Sequence, residues 1–163
     1  MTDIFLLLGS NLGNRIKYLE KAVDLIDTSI SRVVSKSSYY ETSAWGNTDQ
    51  PDFINQAISL QSNILPMKLL ESIWSIESNL ERSRGSKWGA RTIDIDILLY
   101  GSAIINMPDL NIPHKLLQER RFVLVPLNEI APDFKHPLLN KTVKELLHQL
   151  TDDLSVKKLE NYY

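Results

Sequence analysis

The strongest constraint on the fold is a strict alternation of isoleucine and aspartate over residues 93–97, IDIDI. Side chains on a β-strand point alternately to opposite faces, so the isoleucines and Leu99 are predicted to share one face. Asp94 and Asp96 are predicted to share the other face, separated by about 6.5–7 Å of strand rise. The alternation therefore predicts a half-buried strand that carries two neighbouring carboxylates on its polar face.

The carboxylate pair follows a basic segment that contains Arg82, Arg84, Lys87 and Arg91. Neighbouring carboxylates raise each other's pKa unless a cation lies near them, and either the arginines or a metal ion could supply that cation. Mg²⁺ takes one or two carboxylates together with substrate phosphates. A half-exposed strand with a polar outer face is one interpretation, but the adjoining cations favour metal-assisted phosphoryl transfer.

The remaining apolar patterns predict an alternation of strands and helices. The predicted elements are strands over residues 3–8, 32–40, 53–60 and 93–99, and helices over residues 15–27 and from Pro66 onward. This β-α-β-β-α-β order is typical of the ferredoxin-like α+β fold, an antiparallel sheet with its helices on one face. Thr142 and Glu145 form a capping-box pattern that predicts an extra C-terminal helix. The polar tail from Thr151 onward predicts no function.

Composition limits the classes of protein to which the chain can belong. With 163 residues, it is predicted to form one domain over residues 1–163. A formal net charge of −2 argues against bulk electrostatic binding of nucleic acid, and the lack of cysteine excludes disulfides and thiolate chemistry. No apolar run reaches membrane-spanning length and the N-terminus lacks the form of a signal peptide, so we expect a cytoplasmic protein without a membrane partner.

Phe53 and Asn55 are predicted to lie together on the strand face that points away from the main apolar set. A flat aromatic ring beside a side-chain amide suits a planar heterocycle, which the ring can stack on and the amide can hydrogen-bond. Such a pair is also common on ordinary strands. In the predicted fold, however, it shares the open face with Asp94 and Asp96.

The segment from Lys87 to Leu98, KWGARTIDIDIL, resembles the signature of the 6-hydroxymethyl-7,8-dihydropterin pyrophosphokinase family of folate biosynthesis. Three further segments resemble the same family: GSN after the first strand, DQPD before Phe53, and NEIAP at residues 128–132. The resemblance implies a ferredoxin-like fold. It also implies a magnesium-dependent transfer of pyrophosphate from ATP to the hydroxymethyl group of the dihydropterin, with release of AMP.

The resemblance further implies roles for individual residues. Asp94 and Asp96 would bind two Mg²⁺ ions and act as catalytic residues together with Arg82 and Arg91. The residues implied in ATP binding are Glu77, Arg84, Lys87, Trp88, Ile97, His114, Lys115 and Arg120. The residues implied in pterin binding are Thr42, Ser43, Trp45, Phe53, Asn55 and Phe122. The two phenylalanines would stack on opposite faces of the pterin ring. No nucleic-acid partner is implied, and we expect a monomer.

Several of these residues also have a plainer interpretation. Glu77 falls near a helix end, where a solvated position is the alternative, and His114 could be a structural histidine. Trp45 could be pinned to the core instead of covering a ligand. The chain also departs from the commoner family pattern at Asp109 and Asn111, where some members carry a basic residue and a threonine near ATP. We expect the loops at 43–52 and 82–91 to close over the substrates and exclude water.

A second function class is a ferredoxin-like sheet that binds single-stranded RNA without catalysis. Phe53 and Phe122 would then stack on bases and the arginines would contact phosphates. The acidic pair, the net negative charge and the lack of an RNP-type aromatic motif argue against it. A third possibility is a folded, inactive relative that binds pterin only.

Overall fold

The computed structural model describes residues 1–43, 49–80 and 92–160. Within these ranges the chain forms an antiparallel sheet flanked by helices, so the predicted α+β class is confirmed. The strands are β1 (Thr2–Ser10), β2 (Val33–Lys36), β3 (Tyr40–Thr42), β4 (Phe53–Ser62), β5 (Asp94–Tyr100), β6 (Ile105–Asn106), β7 (Asn111–Ile112) and β8 (Val156–Lys158). The helices are α1 (Arg15–Ser29), α2 (Pro66–Asn79), α3 (Arg121–Ile130) and α4 (Val143–Gln149), and a 3₁₀ turn spans Leu117–Glu119.

The main sheet has the strand order β5-β1-β4-β3-β8, and β2 and β3 pair with successive parts of β4. All of these pairings are antiparallel. The predicted strand over residues 32–40 is therefore two strands. The ladder is interrupted near Ser37, whose hydroxyl accepts a 2.9 Å hydrogen bond from the Ala57 amide. The β-α-β-β-α-β order is otherwise present through β5, and the ferredoxin-like label stays a prediction.

Three helices begin with local signals: in α1 and α4 a side chain accepts from a first-turn amide, and α2 begins with a proline, which has no amide hydrogen. The Asn14 side chain accepts from the Lys17 amide at 3.1 Å at the start of α1, and Pro66 is the first residue of α2. The capping box of α4 is confirmed, because Thr142 and Glu145 exchange side-chain-to-backbone hydrogen bonds of 3.0 and 3.2 Å. These local signals explain why the helix starts were predictable.

Helices cover both faces of the sheet, whereas the sequence predicted one face to be open. On one face, α1 and α2 pack against Ile4, Leu6 and Leu8 of β1. On the other, α3, α4 and the 3₁₀ turn pack against Phe5 and Leu7. This explains why β1 is continuously apolar, since each such side chain gains about 1.5–3 kcal/mol from burial. Toward the end of β1 that contains Gly9, the described residues of this second face line a cavity, which is the candidate site.

Leu99 lies on the opposite face from the one predicted. The pairing of β1 with β5 shifts register so that Phe5 faces Leu99 while Leu6 faces Ile97. The extra residue, Leu98, forms a bulge that reverses the alternation beyond it. Leu98 and Leu99 both pack with α3 and α4, so the polar row of β5 ends in an apolar wall.

The tail after α4, whose polar sequence gave no structural prediction, is part of the fold. Asp152 accepts a 2.9 Å hydrogen bond from the Arg121 amide at the start of α3 and a 3.0 Å hydrogen bond from the Leu154 amide. β8 then pairs with β3 along Tyr40–Thr42. No helix in the described part of the chain is long and apolar enough to cross a membrane.

Candidate active site

The register of the sheet brings the predicted site residues into adjacent rows. Gly9 of β1 faces Asn55 of β4 on one side and Asp94 of β5 on the other. In the next row on the same face, Leu7 faces Asp96. The amide and the two carboxylates therefore project from one face of three neighbouring strands, as the alternation of β5 predicted.

Gly9 provides the space between the amide and the carboxylates. A Cβ atom placed on Gly9 would lie 2.7 Å from Oδ1 of Asn55 and 3.6 Å from the Phe53 ring. A separation of 2.7 Å is too short for a carbon atom against a buried amide oxygen, so any larger residue would displace Asn55. Position 9 therefore requires glycine because the Asn55 side chain lies so close to its backbone, and not because of an unusual backbone conformation.

Above this floor lies a cavity of about 580 Å³, within the range typical of small-molecule sites. Every predicted site residue in the described ranges lines it. These residues are Thr42, Ser43, Phe53, Asn55, Glu77, Asp94, Asp96, Ile97, His114, Lys115, Arg120 and Phe122. The remaining predicted site residues, Trp45, Arg82, Arg84, Lys87, Trp88 and Arg91, lie outside the described residues, as does most of the two predicted closing loops.

Thr42 and Asn55 are linked at one end of the cavity. Nδ2 of Asn55 donates a 3.0 Å hydrogen bond to Oγ1 of Thr42, and both side chains are buried. Phe53 pairs with Thr42 across β3 and β4, and Phe122 at the start of α3 also lines the cavity. This end combines aromatic rings with one oriented amide, which is the chemistry predicted for a planar heterocycle.

The buried carboxylate of Glu77 contradicts the solvated interpretation of that residue. Its side chain is only 3% exposed and accepts a 3.0 Å hydrogen bond from the Ile95 amide. Ile95 lies between the two aspartates, so Glu77 ties α2 to the part of β5 that carries them. This charge-assisted hydrogen bond from the Ile95 amide to the Glu77 carboxylate helps to fix the position of β5.

His114 is held as a neutral imidazole. Its Nδ1 accepts a hydrogen bond from the Leu116 amide at 3.2 Å, which leaves the proton on Nε2. Burial, and then the positive charge of Arg120, lower the pKa of His114 to about 4, although Asp94 acts in the opposite direction. Near neutral pH the ring is therefore a hydrogen-bond donor through Nε2 and carries no charge.

Arg120 places a positive charge in the cavity wall. Only 6% of it is exposed, and its guanidinium carbon lies 5.5 Å from the centroid of the Phe122 ring. A guanidinium in the wall of a ligand-sized cavity presents a planar fork of N–H donors that matches phosphate and carboxylate groups, so it suits an anionic ligand.

The aspartate pair fits the coordination habits of Mg²⁺. Both side chains are partly exposed to the cavity, and the described ranges contain no group of three or more metal-binding side chains that would enclose an ion. Mg²⁺ commonly binds through one or two carboxylates and takes further oxygens from substrate phosphates and water. The donor set fits a metal that arrives with a phosphate ligand.

Some cavity residues were missed by sequence reasoning. Leu70 and Trp74 of α2 line the cavity together with Glu77. They are spaced at i, i+4 and i+7, so helical periodicity could have placed them on one face. Gly9 and Gln50 were also missed, and nothing local to their sequence signals that they reach the cavity. Asp109 and Asn111, noted for their departure from the family pattern, do line it.

The turn after β1 holds the described end of the loop that leads into β4. Nδ2 of Asn11 donates hydrogen bonds to the Gln50 side chain at 3.0 Å and to the Pro51 carbonyl at 2.9 Å. Arg15 donates to the Asp52 carbonyl and forms a 2.8 Å salt bridge with Glu41. The GSN segment thus acts structurally on the loop that precedes Phe53.

Comparison with solved structures identifies the class of fold. The chain is similar to Plasmodium falciparum HPPK-DHPS, both in a wild-type crystal structure with pteroate (TM-score 0.76, 19% identity) and in an A437G variant with SDX-DHP (TM-score 0.74, 18% identity). Each alignment covers 91% of this chain and 42% of the longer Plasmodium chain, so this chain spans about two-fifths of that protein's length. At this identity the likeness establishes a shared fold, which is that of an HPPK domain.

Sequence comparison identifies the family. The family model for 7,8-dihydro-6-hydroxymethylpterin-pyrophosphokinase (HPPK) matches residues 5–132. The 2-amino-4-hydroxy-6-hydroxymethyldihydropteridine pyrophosphokinase of Methylorubrum extorquens is 44% identical over 98% of this chain and 100% of its own length. The Aquifex aeolicus enzyme of the same name is 39% identical over 89% of this chain and 90% of its own length. The chain belongs to the HPPK family and is a pyrophosphokinase of folate biosynthesis, which confirms the enzyme class predicted from the sequence.

Proposed function

We propose that the cavity binds ATP and 6-hydroxymethyl-7,8-dihydropterin side by side and aligns them for transfer of a pyrophosphoryl group. The hydroxymethyl oxygen forms a bond to the β-phosphorus of ATP, and the bond between that phosphorus and the α,β-bridging oxygen breaks. AMP leaves with the electron pair, and the hydroxyl proton passes to solvent or to a neighbouring base. The observation that carries this proposal is the row Asn55–Gly9–Asp94. In this row a side-chain amide, which suits a heterocycle, and a carboxylate, which suits a metal ion bound to phosphate, lie on either side of Gly9.

The proposed pterin slot lies between the Phe53 and Phe122 rings. The ligand would stack on both rings, and Oδ1 of Asn55 would accept from a ring N–H, because Thr42 already accepts from the amide nitrogen. Ser43 lines the same end of the cavity. These contacts would orient the hydroxymethyl group toward the two aspartates.

The proposed phosphate region includes Asp94, Asp96, His114, Lys115 and Arg120. Two bound Mg²⁺ ions would neutralise phosphate charge and polarise the reacting β-phosphate. Asp94 and Asp96 would hold them, while Arg120 and Lys115 add positive charge and the neutral imidazole of His114 donates through Nε2. Glu77 would keep β5 in register, and Ile97 would contact the nucleotide.

The remaining roles stay proposals from the family resemblance. Arg82 and Arg91 would stabilise the phosphate charge that develops during transfer. Arg84, Lys87 and Trp88 would bind ATP, and Trp45 would contact the pterin. We further propose that one domain over residues 1–163 acts as a monomer in the cytoplasm. Size-exclusion chromatography with light scattering tests the oligomeric state.

Phosphorus NMR with ATP, Mg²⁺ and the dihydropterin tests the reaction. AMP that accumulates only in the presence of the pterin is the expected result. Accumulation of ADP with free phosphate would contradict it, because γ-phosphoryl chemistry would then be taking place. Folded protein that binds pterin without turnover would instead point to the inactive relative.

A further inference from the structure

We infer that Glu129 and Asp152 are positioning residues that fix the two ends of α3 and so set the distance between the Phe122 ring and the sheet. The inference rests on the proposed pterin slot between Phe53 and Phe122. Neither residue lines the cavity. Glu129 belongs to the NEIAP segment that resembles the family, whereas Asp152 lies in the polar tail after α4.

Glu129 joins the last turn of α3 to the segment that leads into β3. Its Oε1 accepts hydrogen bonds from the amide and the hydroxyl of Ser38, at 3.0 and 2.9 Å, and its Oε2 accepts from the Tyr40 hydroxyl. Burial opposes ionisation of Glu129, but these hydrogen bonds outweigh burial and lower its pKa. Burial and the neighbouring carboxylate raise the pKa of Tyr40, so Tyr40 remains the donor. Charge-assisted hydrogen bonds of this kind are stronger than neutral ones.

The Glu129 anchor acts on the face of α3 that carries Phe122. The two residues lie about two helical turns apart, so their side chains leave the helix on the same side. On the sheet, Tyr40 pairs with Asn55 and Thr42 pairs with Phe53. Glu129 therefore connects α3, which carries Phe122, to β3, the strand that pairs with β4 beside Phe53.

The first turn of α3 lacks one helical hydrogen bond because Pro126 lies inside the helix. Proline has no amide hydrogen, so residue 126 cannot donate the usual helical hydrogen bond to the carbonyl of Phe122, four residues earlier. Asp152 supplies an external tie by accepting from the Arg121 amide at 2.9 Å. A carboxylate at a helix N-terminus also interacts favourably with the helix dipole.

The two anchors and β8 form one continuous frame. The segment that contains Asp152 leads directly into β8, which pairs with β3 beside Tyr40. Lys158 of β8 also acts electrostatically on Glu129. The proposed slot is thus supported by α3, β4 and β8, and each of these elements contacts β3.

Isothermal titration of the dihydropterin tests the inference, with Mg²⁺ and an α,β-methylene analogue of ATP present to block turnover. For Glu129→Gln and for Asp152→Asn we expect the pterin dissociation constant to rise about tenfold, as for loss of one charge-assisted hydrogen bond. The affinity for the nucleotide analogue should stay within about twofold of wild type. If Glu129→Gln fails to fold, Ser38→Ala removes only part of the same anchor and should act in the same direction.

Glu145→Gln is the matched control. It makes the same chemical change in a carboxylate that also accepts a backbone hydrogen bond, but it does so in α4, away from the cavity. It should lower the thermal midpoint without changing pterin affinity. Equal pterin affinity in Glu129→Gln, Glu145→Gln and wild type would overturn the inference. If Phe122→Ala also binds pterin normally, the proposed slot itself is wrong; if only Phe122→Ala binds weakly, the slot stands and the positioning role fails.

Discussion

The amide of Asn55 donates its hydrogen bond to Thr42, and its oxygen lies above the α-carbon of Gly9. The hydrogen bond to Thr42 fixes which end of the amide is nitrogen and uses one of its N–H groups, so Oδ1 is the acceptor that a ligand in the proposed slot would meet. Since both residues are 3% exposed, water cannot readily replace either partner. Recognition in the proposed pterin slot would therefore depend on a contact between two protein side chains.

Thr42→Val should weaken pterin binding by removing the acceptor while preserving the side-chain shape. A buried donor without an acceptor costs about 1–3 kcal/mol, so we expect the pterin dissociation constant to rise about tenfold or more. Titration in the presence of the ATP analogue measures this change. Thr28→Val is the control, because Thr28 makes its hydrogen bond to a helix carbonyl in an exposed part of α1. Equal losses in the two variants would contradict the proposed role of the Thr42 contact.

Gly9→Ala should abolish tight pterin binding, because its methyl group would displace the Asn55 amide. We expect a loss of stability of about 1–3 kcal/mol from the forced repacking. Asn55→Ala in the same chain removes the clashing oxygen, so the double variant should regain much of that stability but not the affinity. Urea unfolding and pterin titration of the two single variants and the double variant measure both quantities. Additive stability losses would show that the two residues do not meet in this way.

Asp94→Asn and Asp96→Asn should each lower turnover by at least about a hundredfold, because each removes a carboxylate that would hold the proposed Mg²⁺ ions. The midpoint of urea unfolding should change little, since both side chains are partly exposed. Asp24→Asn, on the exposed face of α1, should leave both quantities unchanged. Unfolding of Asp94→Ala in proportion to its loss of activity would indicate a structural role instead.

Acid should destabilise the fold through two histidines whose pKa is lowered by burial. The pKa of His114 is lowered from 6.5 to about 4, and burial also lowers the pKa of His136. For such groups the unfolded chain binds protons first, so their contribution to stability is complete above about pH 6.5 and is lost as the pH falls toward the folded pKa. We therefore expect the free energy of unfolding, from urea titrations at pH 7 and pH 5, to fall on acidification.

His136→Asn separates the contribution of His136 from that of other groups. Nδ1 of His136 accepts from the Leu138 and Leu139 amides at 3.2 and 3.1 Å, and an asparagine oxygen can accept there without titrating. This variant should lose less stability than wild type between pH 7 and pH 5. His148→Asn changes an exposed histidine and should retain the wild-type loss. A wild-type pH dependence in His136→Asn would show that His136 makes no such contribution.

Much of the fold could be predicted because its signals are local. The continuous apolar run of β1, Pro66 at the start of α2 and the Thr142–Glu145 capping box each act within a few residues. The alternation around Asp94 also placed both carboxylates on the cavity face correctly. In each case the residues that determine the local structure are close neighbours in the sequence.

The remaining features depend on contacts between distant parts of the chain. The break near Ser37 follows from its contacts with β4, and the changed orientation of Leu99 follows from a bulge against β1. A solvated position was the alternative interpretation of Glu77, because its hydrogen-bond partner, the Ile95 amide, belongs to another element and is not evident from the local sequence. The polar tail gave no local sign that Asp152 would meet α3.

The pairing of β8 with β3 also has a consequence for how the protein is made. Of the strands in the main sheet, β8 leaves the ribosome last, whereas β3 emerges well before β4 and β5. Until β8 docks, β3 presents an unpaired edge, and a new chain in that state is open to wrong pairing with its neighbours. The core can form early, but the wall beside Thr42 is completed only after β8 has emerged, so binding competence should follow compaction during synthesis.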